Sequence, residues 1–156
     1  QIAKAAGAEV FVTCSDTMKP TAEALGADLA IDYKSENFIP IVEEATDGFG
    51  VDVVYDAVGG DMLTRSLDVI KPYGRMVGIV STDAGFSAAF RKNITLYTYF
   101  LERDGYKMDA LRILAERGEI EPVIDSVMPL AEVAEAHRRL AAGGVKGKIV
   151  LAVDGE

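Results

Sequence analysis

Four short segments bring together residue types that hold sugars and phosphates. Thr13-Cys14-Ser15-Asp16 is followed one helical turn later by Lys19. Tyr33-Lys34, Ala57-Val58-Gly59-Gly60 and Ile79-Val80-Ser81-Thr82 come later in the chain. Hydroxyls donate and accept hydrogen bonds, ammonium groups neutralise phosphate, and glycines let backbone approach a ligand closely. That mixture suits a ribose and a phosphate better than a metal. The G-x-G-x-x-G fingerprint of dinucleotide sites is absent. Gly48-Phe49-Gly50 supplies only its first two glycines and precedes a β-branched run instead of following one. With one cysteine, Cys14, and one histidine, His137, the chain has too few soft ligands for a Cys/His zinc site. No residue stands out as a general acid or base, so no catalytic residue is expected here. Asp52 and Asp56 share a strand but lie too far apart for a shared proton, and carry no expected chemistry. His137 falls on the apolar face of its helix and reads as a partly buried histidine. Cys14 reads as a small buried hydrophobe.

These segments need elements to position them. Short β-branched runs alternate with amphipathic stretches. Strands are expected at Glu9–Cys14, Leu29–Tyr33, Val51–Val58, Arg75–Val80, Ile94–Leu101, Val123–Val127 and Lys148–Val153. Helices are expected at Gln1–Ala6, Asp16–Leu25, Asn37–Thr46, Met62–Ile70, Asp109–Arg117 and Ala131–Ala142. Pro20 and Pro40 fall in first turns, where a missing N–H costs little. Pro72-Tyr73-Gly74 reads as a turn and Ser81–Asn93 as a loop. Strands separated by helices of about ten residues imply βαβ units, hence a doubly wound α/β fold with a parallel sheet. Ligands of such sheets sit outside the carboxyl ends of the strands, where the four segments fall.

The chain has 156 residues, about one domain, and 49% of them are hydrophobic, enough for a core. Its formal charge of −9 makes it a poor partner for nucleic acid. No apolar run reaches the length of a membrane helix, and no signal peptide is expected. A single cysteine fits a reducing, cytoplasmic setting.

Val51-Asp52-Val53-Val54-Tyr55-Asp56-Ala57-Val58-Gly59-Gly60 resembles the fourth-strand motif of the medium-chain dehydrogenase/reductase superfamily, in its quinone oxidoreductase and zinc-binding alcohol dehydrogenase branch. Leu25-Gly26-Ala27-Asp28 with Ile31-Asp32-Tyr33 is similar to the same branch. So are Lys71-Pro72-Tyr73-Gly74-Arg75 and the stretch from Pro129-Leu130-Ala131-Glu132 through Ala136-His137-Arg138 to Gly147-Lys148-Ile149-Val150-Leu151. The resemblance covers essentially the whole chain. It implies an NAD(P)H-dependent oxidoreductase that reduces a quinone or an activated alkene or carbonyl. It also implies that strands two to six of a Rossmann-like cofactor domain occupy residues 1–120. Residues 121–156 then form the segment that packs on a catalytic domain in the family. The catalytic domain, the first strand and the glycine loop have no counterpart in these residues. A non-catalytic fragment or interaction module with weak or no cofactor binding is the alternative.

Relatives that prefer NAD end strand two in an acid. Here that place holds Thr13, Cys14 and Ser15, with Asp16 a little late. By resemblance Ser15, Lys19 and Tyr33 form a site for the 2′-phosphate of NADPH, although the family's lysine more often stands at the position of Met18. Val58 and Gly59 contact the cofactor through backbone. Ile79, Val80 and Ser81 line the nicotinamide, and Tyr99 and Phe100 lie beside it. Any zinc ligands belong to the absent domain. With strand order three-two-one-four-five-six, loss of strand one leaves Glu9–Cys14 and Val51–Val58 with open edges. Direct pairing of those strands, a swapped strand or a bound fragment would close the gap. Ile94–Leu101 at the far edge is expected to pair with its symmetry mate in a homodimer.

Overall fold

Runs rich in β-branched residues become strands, and the stretches between them become helices. The computed structural model describes residues 1–80, 85 and 87–153. In chain order the elements are α1 (Ile2–Ala5), β1 (Phe11–Cys14), α2 (Lys19–Ala24), β2 (Leu29–Asp32), α3 (Phe38–Ala45), β3 (Val51–Asp56) and α4 (Asp61–Ser66). Then follow β4 (Ile70–Gly78), α5 (Ser87–Arg91), β5 (Thr95–Thr98), α6 (Gly105–Glu116), β6 (Ile124–Pro129), α7 (Val133–Ala142) and β7 (Lys148–Ala152). Short 3-10 turns at Asp16–Met18 and Leu130–Glu132 lead into α2 and α7.

The elements gather into two units. One holds Phe11–Glu23 and Asp28–Asp104; the other holds Gln1–Val10, Ala24–Ala27 and Gly105–Glu156. In the first unit β1 pairs with β2, and β3, β4 and β5 form a second sheet in that order. All these pairings are parallel, as the βαβ reading requires. Among the described residues β1 pairs only with β2, and β3 pairs only with β4 among its neighbours, so the two sheets are not joined by strand pairing. Direct pairing of β1 with β3, one of the three expected closures, is therefore not what this chain does.

Side chains join the two sheets instead. Ile31, Phe38, Val42 and Val69 form one buried cluster, and Leu63, Leu67, Ile70, Met76 and Ala89 form another. Val51 and Val54 of β3 pack against both. Each fully buried aliphatic side chain contributes about 1.5–3 kcal/mol from apolar burial. Helix α3 starts where expected: the Asn37 side chain accepts a hydrogen bond from the Ile39 N–H at 3.3 Å. After it the chain must turn tightly. Gly50 has φ +79°, and a Cβ there would lie 2.5 Å from the Val69 carbonyl oxygen, so only glycine fits.

Strand β4 departs from the sequence reading. It begins at Ile70, and the stretch read as a turn lies inside it as an irregularity: Val51 pairs with Ile70, but Val53 pairs with Arg75. Tyr73 adopts φ +63°, a left-handed conformation uncommon for a bulky residue. Its N–H donates to the Lys92 carbonyl at 2.9 Å. The Lys92 ammonium in turn donates to the carbonyls of Leu67, Asp68 and Ile70 at 3.1, 2.6 and 2.9 Å, capping the chain just past α4. Part of the expected 81–93 loop is the helix α5, and β5 is shorter than Ile94–Leu101.

In the second unit β6 and β7 pair in parallel around α7. Helix α7 turns Ala136 inward, and Arg139 reaches the Asp125 carboxylate at 2.8 Å and the Ser126 hydroxyl at 3.0 Å on β6. The stripe of Val133, His137 and Leu140 is therefore exposed, and His137 is not the partly buried residue its spacing suggests.

Candidate functional site

The carboxyl ends of β3, β4 and β5 line up through backbone. The Ile79 N–H donates to the Asp56 carbonyl at 3.2 Å, and the Tyr99 N–H donates to the Gly78 carbonyl at 3.0 Å. One turn on this edge is built by a side chain. Asp56 is buried, with 6% of its surface exposed. Its Oδ1 accepts the N–H groups of Val58 at 2.9 Å and Gly59 at 2.6 Å. The carboxylate thus fixes the path of the chain just after β3. Gly59 follows with φ +79° and Gly60 with φ +60°, which glycine adopts without a Cβ penalty. The Val58 side chain is exposed beside this turn.

The sequence assigns Asp56 no role, whereas the structure makes it the anchor of the glycine turn. The signal was present: an aspartate two and three residues before the groups it must bond, at a strand end ahead of Gly59-Gly60. Its strand neighbour Asp52 is exposed and pairs with Lys71, which lowers its pKa.

The ends of β1 and β2 carry the second group of expected residues. The Tyr33 N–H donates to the Cys14 carbonyl at 3.1 Å. The Tyr33 side chain is half exposed, and the Lys34 ammonium sits 6.0 Å from its ring centroid. The Ser15 and Thr17 hydroxyls lie 3.2 Å apart. The Lys19 ammonium reaches back to the Glu36 Oε2 at 2.6 Å, and the same oxygen accepts the Asp32 N–H at 2.8 Å. Lys19 holds the Glu36 carboxyl below its ordinary value, and Glu36 raises the Lys19 ammonium. The Asp32 carboxylate is buried; the Ser35 hydroxyl donates to it at 2.6 Å and the Lys34 N–H at 3.2 Å, which lowers its pKa. Burial pushes the Cys14 thiol up, so it is held as the weakly reactive thiol.

The structure therefore groups the expected residues by strand end. Ser15, Lys19 and Tyr33 follow β1 and β2, while Val58, Gly59, Ile79, Val80, Tyr99 and Phe100 follow β3, β4 and β5. Ile79, Val80 and Phe100 expose their side chains, and the Tyr99 hydroxyl donates to the Glu102 carboxylate at 3.1 Å. Ser81 lies outside the described residues. Among the described residues no three His, Cys, Asp or Glu side chains converge on a point where a metal ion could sit. No helix among them is long and apolar enough to cross a membrane.

Comparison with known proteins adds to this geometry. A family model described as zinc-binding dehydrogenase matches residues 25–151. The chain is 37% identical over 166 residues to a quinone oxidoreductase of Pseudomonas aeruginosa, covering 97% of this chain and 51% of that one. It is 34% identical over 164 residues to a 2-haloacrylate reductase of a Burkholderia species, covering 93% of this chain and 48% of the other. A solved NAD-dependent alcohol dehydrogenase superposes with a TM-score of 0.85 at 30% identity, over 97% of this chain and 46% of its own. The chain spans about half the length of each of these proteins. The parallel strands with intervening helices match the Rossmann-like domains of such structures.

Proposed function

This chain belongs to the zinc-binding dehydrogenase family, and from that premise we propose that it is the cofactor-binding portion of an NADPH-dependent oxidoreductase. Its substrate is a quinone or an activated alkene or carbonyl. The observation that carries this reading is the turn after β3. Asp56 draws the Val58 and Gly59 N–H groups onto one oxygen and so sets a glycine-rich backbone at the strand end. A dinucleotide needs backbone there, because a side chain would hold it away. Similarity to a quinone oxidoreductase and to a 2-haloacrylate reductase supports the substrate class.

When bound, the cofactor supplies the hydride. The chain's own part is to hold and orient it. In this reading residues 1–120 bind the cofactor and 121–156 meet a substrate-binding domain. The backbone at Val58 and Gly59, the Ile79-Val80-Ser81 segment, Tyr99 and Phe100 border the cofactor's ring end. Ser15, Lys19 and Tyr33 receive its 2′-phosphate. The choice of NADPH over NADH is supported by the end of β1, where Thr13 and Cys14 stand in place of an acid. The nearest acid on β2, Asp32, already spends its carboxylate on Ser35 and Lys34. In this reading the chain itself holds no zinc, and it works in the cytoplasm.

Titration with NADPH and with NADH of the chain joined to the amino-terminal part that its family carries, followed by nucleotide fluorescence, tests the reading. NADPH binds more tightly, and Lys19→Ala removes about tenfold of that preference. Equal affinities for the two nucleotides overturn the NADPH assignment. Failure to bind either favours the non-catalytic alternative.

A further inference from the structure

A cation meant for a phosphate is useful only if it can leave its present partner. Lys19 is held at 2.6 Å by Glu36, in a pair whose side chains are only 27% and 38% exposed. Glu36 is itself fixed, because the oxygen that binds Lys19 also accepts the Asp32 N–H at the end of β2. A phosphate arriving at Lys19 must displace this carboxylate from the ammonium, and then sits near an anion that the backbone keeps in place.

Resting on the 2′-phosphate reading above, we propose that Glu36 is the positioning residue that sets how strongly this chain discriminates phosphorylated from unphosphorylated ribose. It does so by competing with the phosphate for the Lys19 ammonium. Residues 17 apart in sequence meet here, and neither belongs to the glycine turn. The ion pair is a gate on one functional group, the phosphate monoester. A ligand with a free 2′-hydroxyl leaves the pair intact and is indifferent to Glu36. The depressed Glu36 pKa, due first to Lys19, agrees with a pair that is closed in the free chain.

Adenosine 2′-monophosphate and adenosine serve as probes, because neither needs a pyrophosphate site. Calorimetric titration of the full chain is run on wild type, Glu36→Gln, Lys19→Met and the double variant. Glutamine keeps a carbonyl oxygen for the Asp32 N–H while removing the charge. Glu36→Gln is expected to bind the 2′-monophosphate about three- to tenfold more tightly, with adenosine unchanged. The gain vanishes in the Lys19→Met background, since the effect acts through Lys19. A purely structural Glu36 would lower thermal stability and affect both probes alike. If Lys19→Met weakens the 2′-monophosphate while Glu36→Gln leaves it unchanged or weaker, the phosphate site stands and the role of Glu36 falls. If wild type and every variant bind both probes equally, the phosphate site itself falls. A wild-type measurement guards against a misfolded variant. Saturation with the 2′-monophosphate raises the Glu36 carboxyl titration, followed by carbon NMR, because the carboxylate loses its cation. No movement of that titration overturns the exchange.

Discussion

Replacing Asp56 with alanine tests whether one carboxylate shapes the turn after β3. The side chain is buried, and a single oxygen takes two N–H groups, from Val58 at 2.9 Å and Gly59 at 2.6 Å. A hydrogen bond to a charged group contributes about 1.5–3 kcal/mol, and a buried donor left unpaired costs about 1–3 kcal/mol. The Gly59 N–H is buried and would lose its partner, whereas the exposed Val58 side of the turn can recruit water. Asp56→Ala should therefore destabilise the chain by about 2–4 kcal/mol. Asp56→Asn is the sharper control. Both bonds go to the same oxygen, so the amide carbonyl of asparagine can accept both and only the charge is lost. Its cost should be about 1 kcal/mol. Urea unfolding followed by circular dichroism gives the numbers, since the chain has no tryptophan to report by fluorescence. Amide exchange at Val58 and Gly59 should quicken in the alanine variant and stay near wild type in the asparagine variant. An alanine variant within about 0.5 kcal/mol of wild type, or an asparagine variant as damaged as the alanine one, refutes the reasoning.

Three further outcomes follow from the same structure. Lys92→Met keeps the aliphatic stem but removes the donor shared by three carbonyls, of which the Asp68 one is open to water, so it should cost about 1–2 kcal/mol in urea unfolding, and a change below about 0.5 kcal/mol would remove Lys92 as a cap. Asp32, Glu36 and Asp125 all have lowered pKa values in the folded chain, so their stabilisation is complete above the ordinary carboxylate value of about 4 and is lost as the pH falls through the lowered ones. Unfolding measured between pH 7 and about pH 3 should show that loss, and Asp32→Asn should make it shallower; a slope unchanged by the substitution would discount Asp32. For assembly, we propose that β5, which pairs only with β4 among the described residues, joins its copy in a second chain across the Ile94–Leu101 seam, and sedimentation should show a dimer weakened by Thr98→Lys; a monomeric wild type at micromolar concentration excludes it.

The strands were legible because most are short apolar runs rich in β-branched residues, and the spacing between them admits helical crossovers, whereas their expected order came from the family resemblance. The limits are instructive. The Pro72-Tyr73-Gly74 run carries turn residues, yet the backbone absorbs them as an irregularity inside β4, with Tyr73 at positive φ and its N–H bonded to Lys92. Helix α5 is hidden in the sequence because five residues with one serine and two alanines show no helical stripe. In the candidate site the glycine pair after a strand points to Val58 and Gly59 as expected contacts, but nothing local points to Asp56 as their anchor, because two aspartates on one strand suggest first a proton-sharing pair. The Lys19–Glu36 contact joins the start of α2 to the turn after β2, and no local pattern announces it.

The position of β3 has a consequence for how the molecule comes apart. Val51 and Val54 pack against both buried clusters, while no strand pairing ties β1 to β3 among the described residues. Cooperativity between the two sheets of this unit therefore runs through a few valine methyl groups and the Phe38 helix, not through a continuous ladder of amides. From this packing such a unit is expected to open in stages, the pair β1–β2 detaching before β3, β4 and β5. Ser15, Lys19 and Tyr33, the residues proposed for the phosphate, follow β1 and β2, and the Asp56 turn follows β3. A ligand that touches both would then act as a clasp, adding to stability in proportion to its affinity and concentration.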